Sequence, residues 1–217
     1  MNFEQARHNM VEQQVRTWGV LDARVLEVLG RLPRESFVAH EYRRQAYSDL
    51  SLPLGHGQHM LKPVVEGRCL QALQLSSRDQ VLQIGTGSGY LTACLAELAG
   101  AVTSLEYHAD LARAAEERLS TLKIANTRIV NADALSGYAP DSRFDVIVVA
   151  AAMTSLPESM GQWLRPDGRL FGVFGSGVTM EARLLHLAPD GQWRSESLFD
   201  TVIDHLIGAE PKRRFQF

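Results

Sequence analysis

The segment that most restricts the fold reads Val81-Leu82-Gln83-Ile84-Gly85-Thr86-Gly87-Ser88-Gly89-Tyr90. A short apolar run, Gln80–Ile84, breaks into glycines at alternate positions, and helical patterning resumes over Tyr90–Leu98. Strand, glycine turn and helix in that order open a βαβ unit, and open α/β sheets bind ligands beyond the carboxyl ends of their strands. Glycines there adopt backbone angles that other residues avoid and let a ligand reach the main chain without meeting a Cβ. The same residues exclude several sites. A GxGxxG dinucleotide turn needs glycine at 90, which is Tyr90. No Gly-Lys-Ser/Thr follows, so this is not a Walker loop. Ser88 lacks flanking glycines two residues away, so it is not a GxSxG nucleophile elbow. Alternate glycines without the diphosphate seat suit a ligand that carries no diphosphate.

Strand and helix alternate from there. Ala101–Leu105 reads as a strand, Ala109–Leu122 as a helix, Thr127–Asn131 as a third strand, and Phe144–Ala150 as a fourth. That fourth run is nearly all apolar, as a strand buried on both faces requires. A helix over Pro157–Trp163 precedes the turn Pro166-Asp167-Gly168 and a strand at Arg169–Phe174. Two more strands are expected at Glu181–Leu187 and Ser195–Leu206, joined antiparallel by Pro189-Asp190-Gly191. The pattern predicts an α/β fold with a doubly wound, mostly parallel sheet.

Upstream, residues 3–17 read as a helix, Asp22 as the N-cap of a second over 23–31, and 64–75 as a third. Between them, Tyr47–Pro63 is a long irregular connection, and such loops are often functional. We expect one domain over 1–217. Residues 1–75 form a helical cap and substrate loop over the carboxyl edge of the sheet, and 76–217 form the cofactor-binding core.

Composition narrows the function classes. A net charge of −3 over 217 residues provides no basic field for nucleic acid or an anionic membrane. Arg43-Arg44 and Lys212-Arg213-Arg214 read as solvated surface. Cys69 and Cys94 form no CxxC pair and read as buried reduced thiols. The polar N-terminus has no apolar signal core, and no apolar run suffices to span a bilayer, so the expectation is a soluble cytoplasmic protein. Trp18, Trp163 and Trp193 read as packing residues.

Two acids join the glycine turn. Glu106, at the end of the second strand, is placed to accept hydrogen bonds from both hydroxyls of a ribose. Asp133, just past the third strand and beside Ala134, is placed to meet an adenine amino group. Gly85, Thr86, Gly87, Ser88, Gly89, Glu106, Asp133 and Ala134 therefore form the candidate cofactor site, for an adenosyl ligand.

Several further motifs resemble one family. Met10-Val11-Glu12-Gln13-Gln14-Val15-Arg16, Leu32-Pro33-Arg34-Glu35-Ser36-Phe37-Val38 and Ala46-Tyr47-Ser48-Asp49 are similar to the N-terminal part of protein-L-isoaspartate O-methyltransferases. Leu52-Pro53-Leu54-Gly55-His56-Gly57-Gln58 resembles that family's Pro-Ile-Gly-x-Gly-Gln approach to its substrate loop, and Gly85–Tyr90 resembles its cofactor turn. The resemblance covers most of 9–175. It implies a seven-stranded Rossmann-like methyltransferase sheet, S-adenosyl-L-methionine as donor, and a protein or peptide carboxylate, such as an L-isoaspartyl residue, as acceptor.

The chain departs from that pattern on the acceptor side. The family's Gly-Gln is followed by Thr-Ile-Ser-Gln-Pro, whose serine is treated as the active-site residue. Here the run is His59-Met60-Leu61-Lys62-Pro63, with Leu61 at the serine position. Gln83 replaces an acid before the turn, and Ala132-Asp133-Ala134 replaces Gly-Asp-Gly. The segment from Phe199 to Phe217 matches only loosely.

The expected substrate loop is Gln58, His59, Leu61 and Lys62, with Lys62 a cation able to attract a carboxylate. His59 is the catalytic candidate, a base suited to a phenol, enol or hydroxyl acceptor. His56 and His59 lack the further ligands a metal needs. Two alternatives stand beside repair methylation: a methyltransferase with a changed acceptor, and a cofactor-binding module without turnover.

Overall fold

A computed structural model describes residues 2–211; Lys212-Arg213-Arg214, Phe215 and Phe217 lie outside the described residues. The first helical run changes character along its length. Helix α1 (Phe3–Met10) passes into a π turn at Val11–Val15 and a 3-10 turn at Arg16–Trp18, and Gly19 ends it at φ 82°. Helix α2 (Ala23–Arg31) starts on Asp22, whose side chain accepts the Arg24 N–H. The connection expected to be irregular contains a hairpin, β1 (Leu52–Gly55) with β2 (Gln58–Met60). Helix α3 (Pro63–Leu73) opens with proline at its first turn and stops at Gln74, φ 47°.

The large sheet follows. Parallel strands β3 (Gln80–Ile84), β4 (Ala101–Glu106), β5 (Thr127–Asn131), β6 (Phe144–Met153) and β7 (Leu164–Ser176) alternate with α4 (Tyr90–Leu98), α5 (Ala109–Thr121) and α6 (Glu158–Trp163). Strands β8 (Thr179–Leu187) and β9 (Trp193–Asp200) complete it antiparallel, in the order β5-β4-β3-β6-β7-β8-β9. The crossovers run outward in opposite directions from β3 and β6, so the switch point lies between these two strands.

Side chains alternate across the sheet and separate its two cores. Val81, Val146, Val148, Phe171 and Val173 face the layer that contains α2, α3 and α4. Leu82, Ile84, Ile147, Val149 and Leu170 face Met160, Trp163 and Leu164. The N-terminal residues therefore divide in two. Helix α3 packs on β7, and α2 packs outside it against α3 and α4. The hairpin region and Glu66 of α3 reach the carboxyl edge, where Leu54 approaches Gly87. Trp163 and Trp193 pack in the second core, but Trp18 is 50% exposed, contrary to expectation. No helix among the described residues is long and apolar enough to cross a membrane.

The final strand ends earlier than expected. The Thr201 N–H still bonds Met180 O, after which the chain leaves the edge and returns to β6. Strand β3 turns away after Ile84, which pairs with Val149, so Ala152 has main-chain groups that β3 does not reach. The returning segment satisfies them. Ala152 N–H donates to Asp204 O at 2.7 Å, and Leu206 N–H donates to Ala152 O at 2.8 Å.

Candidate active site

A cleft lies at the switch point, lined by the ends of β3, β4 and β6, the hairpin, and the returning segment 205–207. The glycine turn forms its floor. Gly85 and Thr86 N–H both donate to Leu105 O, at 2.9 and 3.1 Å, which ties the turn to the end of β4. Gly85 and Gly87 hold φ of 87° and 54°, and a Cβ on Gly87 would lie 2.9 Å from Leu54 Cδ1. A side chain at Gly87 would therefore press on Leu54, and the positive φ at both positions favours glycine.

Polar side chains hold that shape. Gln83 is fully buried; its amide donates to Gly85 O at 2.9 Å and accepts the Thr92 hydroxyl at 2.8 Å. A neutral amide can both donate and accept, which fits glutamine in place of an acid. Thr86 and Ser104 hydroxyls share a 2.6 Å hydrogen bond beneath the turn, and the Ser88 hydroxyl accepts Tyr90 N–H at 3.2 Å. Tyr90 is buried against Phe37, with ring centroids 5.4 Å apart, so it packs the cap layer onto α4 where a dinucleotide turn would have glycine.

Glu106 is 5% exposed. Its two oxygens accept Gly87 N–H at 2.8 Å and His108 N–H at 3.0 Å, one each, leaving further acceptor capacity on both. Asp133 Oδ1 accepts Leu135 N–H at 2.8 Å, which fixes the carboxylate beside Ala134. Gln58, His59, Leu61, Gly85, Thr86, Gly87, Ser88, Glu106, Asp133 and Ala134 all line the cleft.

Two expected residues are elsewhere. Gly89 lies at the α4 N-cap with φ 88°, where a Cβ would stand 3.1 Å from Ala115 Cβ; it permits α5 to pack closely and does not line the cleft. Lys62 precedes α3, where its carbonyl accepts the N–H groups of Val65 and Glu66, and it too is absent from the lining.

The substrate loop rests on a buried ion pair. Arg34, fully buried, pairs with Glu66 and donates to Ala46 O at 2.8 Å and Leu61 O at 2.6 Å; its guanidinium lies 4.7 Å from the centre of the Tyr90 ring. One side chain therefore fastens both ends of residues 46–61. Burial pushes the Glu66 carboxyl up to about 7, with Arg34 opposing the shift. Tyr47, which donates to Glu35, is likewise raised, by burial first and then by that carboxylate. Cys69 and Cys94 are buried free thiols, both raised by burial.

The two loop histidines have different partners. His56, at φ 54° in the hairpin turn, bonds Asp110 at 2.9 Å and stacks on His108 with centroids 3.9 Å apart. His59 Nδ1 lies 3.0 Å from Asp204 Oδ2. No group of three metal-ligating side chains occurs among the described residues. Sequence reasoning missed Glu66, His108, His205, Leu206 and Ile207 in the cleft. Only His108 had a local signal, its place just after Glu106.

A doubly wound sheet with an open glycine turn, an acid after the second strand and another after the third defines an S-adenosylmethionine-dependent methyltransferase. The family model described as Protein-L-isoaspartate(D-aspartate) O-methyltransferase (PCMT) matches residues 5–187. Protein-L-isoaspartate O-methyltransferase 1 of Rhodopseudomonas palustris is 38% identical over 211 residues, 96% of this chain and 86% of that protein. The protein-L-isoaspartate O-methyltransferase of Syntrophus aciditrophicus is 42% identical over 208 residues, 95% of each chain. Among solved structures, a Plasmodium falciparum protein described as a protein-L-isoaspartate O-methyltransferase, in complex with S-adenosyl-L-homocysteine, superposes with a TM-score of 0.80 at 22% identity. The match covers 95% of this chain and 98% of that one, a likeness of fold. The chain belongs to the protein-L-isoaspartate O-methyltransferase family.

Proposed function

We propose that this protein methylates the free carboxylate of L-isoaspartyl residues in damaged proteins, with the cofactor in the cleft above the glycine turn. The observation that carries the reading is Glu106, a buried carboxylate fixed by two main-chain N–H groups at the rim of that turn. Its remaining acceptor positions receive the ribose hydroxyls, and Asp133 receives the adenine amino group. With glycine at 85 and 87, no side chain of the turn stands between the cofactor and its main chain. S-adenosylmethionine, when bound, supplies a methyl group on a sulfonium, open to in-line displacement.

Gln58 and Leu61 form the acceptor side, held by Arg34 through Leu61 O. An ordinary carboxyl, with a pKa of about 4, is already ionised at neutral pH and needs no base. The protein's task is then to hold the acceptor in line and keep water out, and orientation of this kind supplies up to about 7–11 kcal/mol. On this reading the loss of the family's serine at Leu61 weakens positioning and leaves the reaction class intact.

The N-terminal helices and the sheet share one apolar core, which supports treating 1–217 as one domain. Two free buried thiols agree with a reducing compartment, and we place the protein in the cytoplasm. The test is transfer from methyl-labelled S-adenosylmethionine to an isoaspartyl peptide, its aspartyl counterpart and a cell extract. Label in the isoaspartyl peptide and not its counterpart is expected. Measurable cofactor binding with no transfer to any acceptor would sink the enzyme reading, and transfer to an extract component alone would sink the repair reading.

A further inference from the structure

The cleft lining includes a histidine that carboxylate methylation does not use, paired with a carboxylate outside the lining. His59 lines the cleft from β2, and its Nδ1 lies 3.0 Å from Asp204 Oδ2, 145 positions away in the chain. Asp204 is not free to drift. Its carbonyl accepts Ala152 N–H at 2.7 Å, Leu206 N–H bonds Ala152 O at 2.8 Å, and the His205 ring lies 3.2 Å from Gly175 O. A carboxylate only accepts hydrogen bonds, so the ring nitrogen facing it carries the proton. The other nitrogen, Nε2, has no hydrogen-bond partner among the described residues. In the neutral ring Nε2 then holds a lone pair able to take up a proton.

We propose that His59 and Asp204 form a base dyad that extends methyl transfer to an acceptor hydroxyl that must lose a proton, of the phenolic class. The inference rests on the cofactor site proposed above. Leu54, Met60, Leu61, Leu206 and Ile207 also line this cleft. Leu61, 8% exposed where the family has a serine, adds apolar surface suited to an aromatic ring. In the step, the phenol oxygen forms a bond to the methyl carbon as the carbon–sulfur bond breaks. Sulfur keeps that electron pair and becomes a neutral thioether, and the hydroxyl proton passes to His59 Nε2. His59 is the catalytic residue of this reaction, and Asp204 is a positioning residue.

Two measurements test the dyad. The first supplies labelled S-adenosylmethionine with 4-methylphenol, un-ionised at pH 7.5, or with an isoaspartyl peptide. Wild-type protein is expected to label both. His59→Gln is expected to lower kcat/KM for the phenol by about 100-fold more than for the peptide, within the usual span of general-base effects. Asp204→Ala should move the same ratio in the same direction by about tenfold. The second measurement is nitrogen-15 NMR of histidine-labelled protein, which reads the tautomer without turnover. It should show His59 protonated on Nδ1 in the wild type and not in Asp204→Ala, with S-adenosylhomocysteine affinity preserved. A peptide labelled while the phenol is not, equal losses on both acceptors, or a proton on Nε2 in the wild type would overturn the dyad and leave the cofactor site standing. Failure with both acceptors would count against the broader reading as well.

Discussion

Replacing Arg34 with alanine tests how the acceptor loop is held. Arg34 and Glu66 are 0% and 2% exposed in their side chains, and Arg34 also bonds the carbonyls of Ala46 and Leu61. Arg34→Ala removes the counter-charge of a buried carboxyl, and breaking a buried pair in this way costs about 3–5 kcal/mol where that carboxyl is ionised. At about 2–4 °C per kcal/mol for a chain of this size, melting should fall by about 6–20 °C. The loss should depend on pH. In the folded wild type the Glu66 carboxyl is raised to about 7, above its unfolded value, so its favourable contribution is complete at low pH and is lost as pH rises toward 7. Without Arg34 the carboxyl rises further and keeps its proton to higher pH, so the variant loses more than the wild type between pH 6 and pH 8. Urea titrations of both proteins at these two pH values, followed by circular dichroism, measure the difference. A cost below about 1 kcal/mol at pH 8, or one equal at both pH values, would refute the reasoning.

Three further outcomes follow from the same structure. Glu66→Gln should flatten the fall in wild-type stability between pH 5 and 7, read from denaturation midpoints across that range; an unchanged slope would show that another group titrates there. Gly89→Ala should destabilise by about 1–2 kcal/mol, because it puts a Cβ at φ 88° and within 3.1 Å of Ala115 Cβ, and should leave acceptor KM unchanged in steady-state assays. Leu61→Ser should raise isoaspartyl transfer while lowering stability by about 1–3 kcal/mol through lost apolar burial. A flat activity response would show that the acceptor pocket has diverged beyond this position.

That the candidate donor residues share one cleft was legible because each is placed locally. Gly85, Gly87, Glu106 and Asp133 each sit at a strand end, and strand ends follow from apolar runs and the residues that break them. Gly89 belongs to the same motif, yet the motif could not separate ligand contact from helix packing, because either role favours glycine. The acceptor side depends on contacts across long stretches of chain. Arg34 with Glu66 joins residues 32 positions apart, and His59 with Asp204 joins residues 145 apart. Nothing near Asp204 announced that the chain would leave β9 at Asp200 and return to Ala152, since that path is set by main-chain groups β3 leaves unpaired. The π and 3-10 turns of residues 11–18 also fall below what periodicity resolves, because their spacing departs only slightly from that of an α-helix.

The central claim is that the cofactor lies over the glycine turn with its ribose on Glu106. Titration calorimetry of S-adenosylhomocysteine into wild type and Glu106→Ala measures it most directly. One site per chain in the wild type and a loss of about 1–3 kcal/mol in the variant are expected, as for lost hydrogen bonds to a charged group. Equal affinity in a variant that keeps its fold would contradict the account.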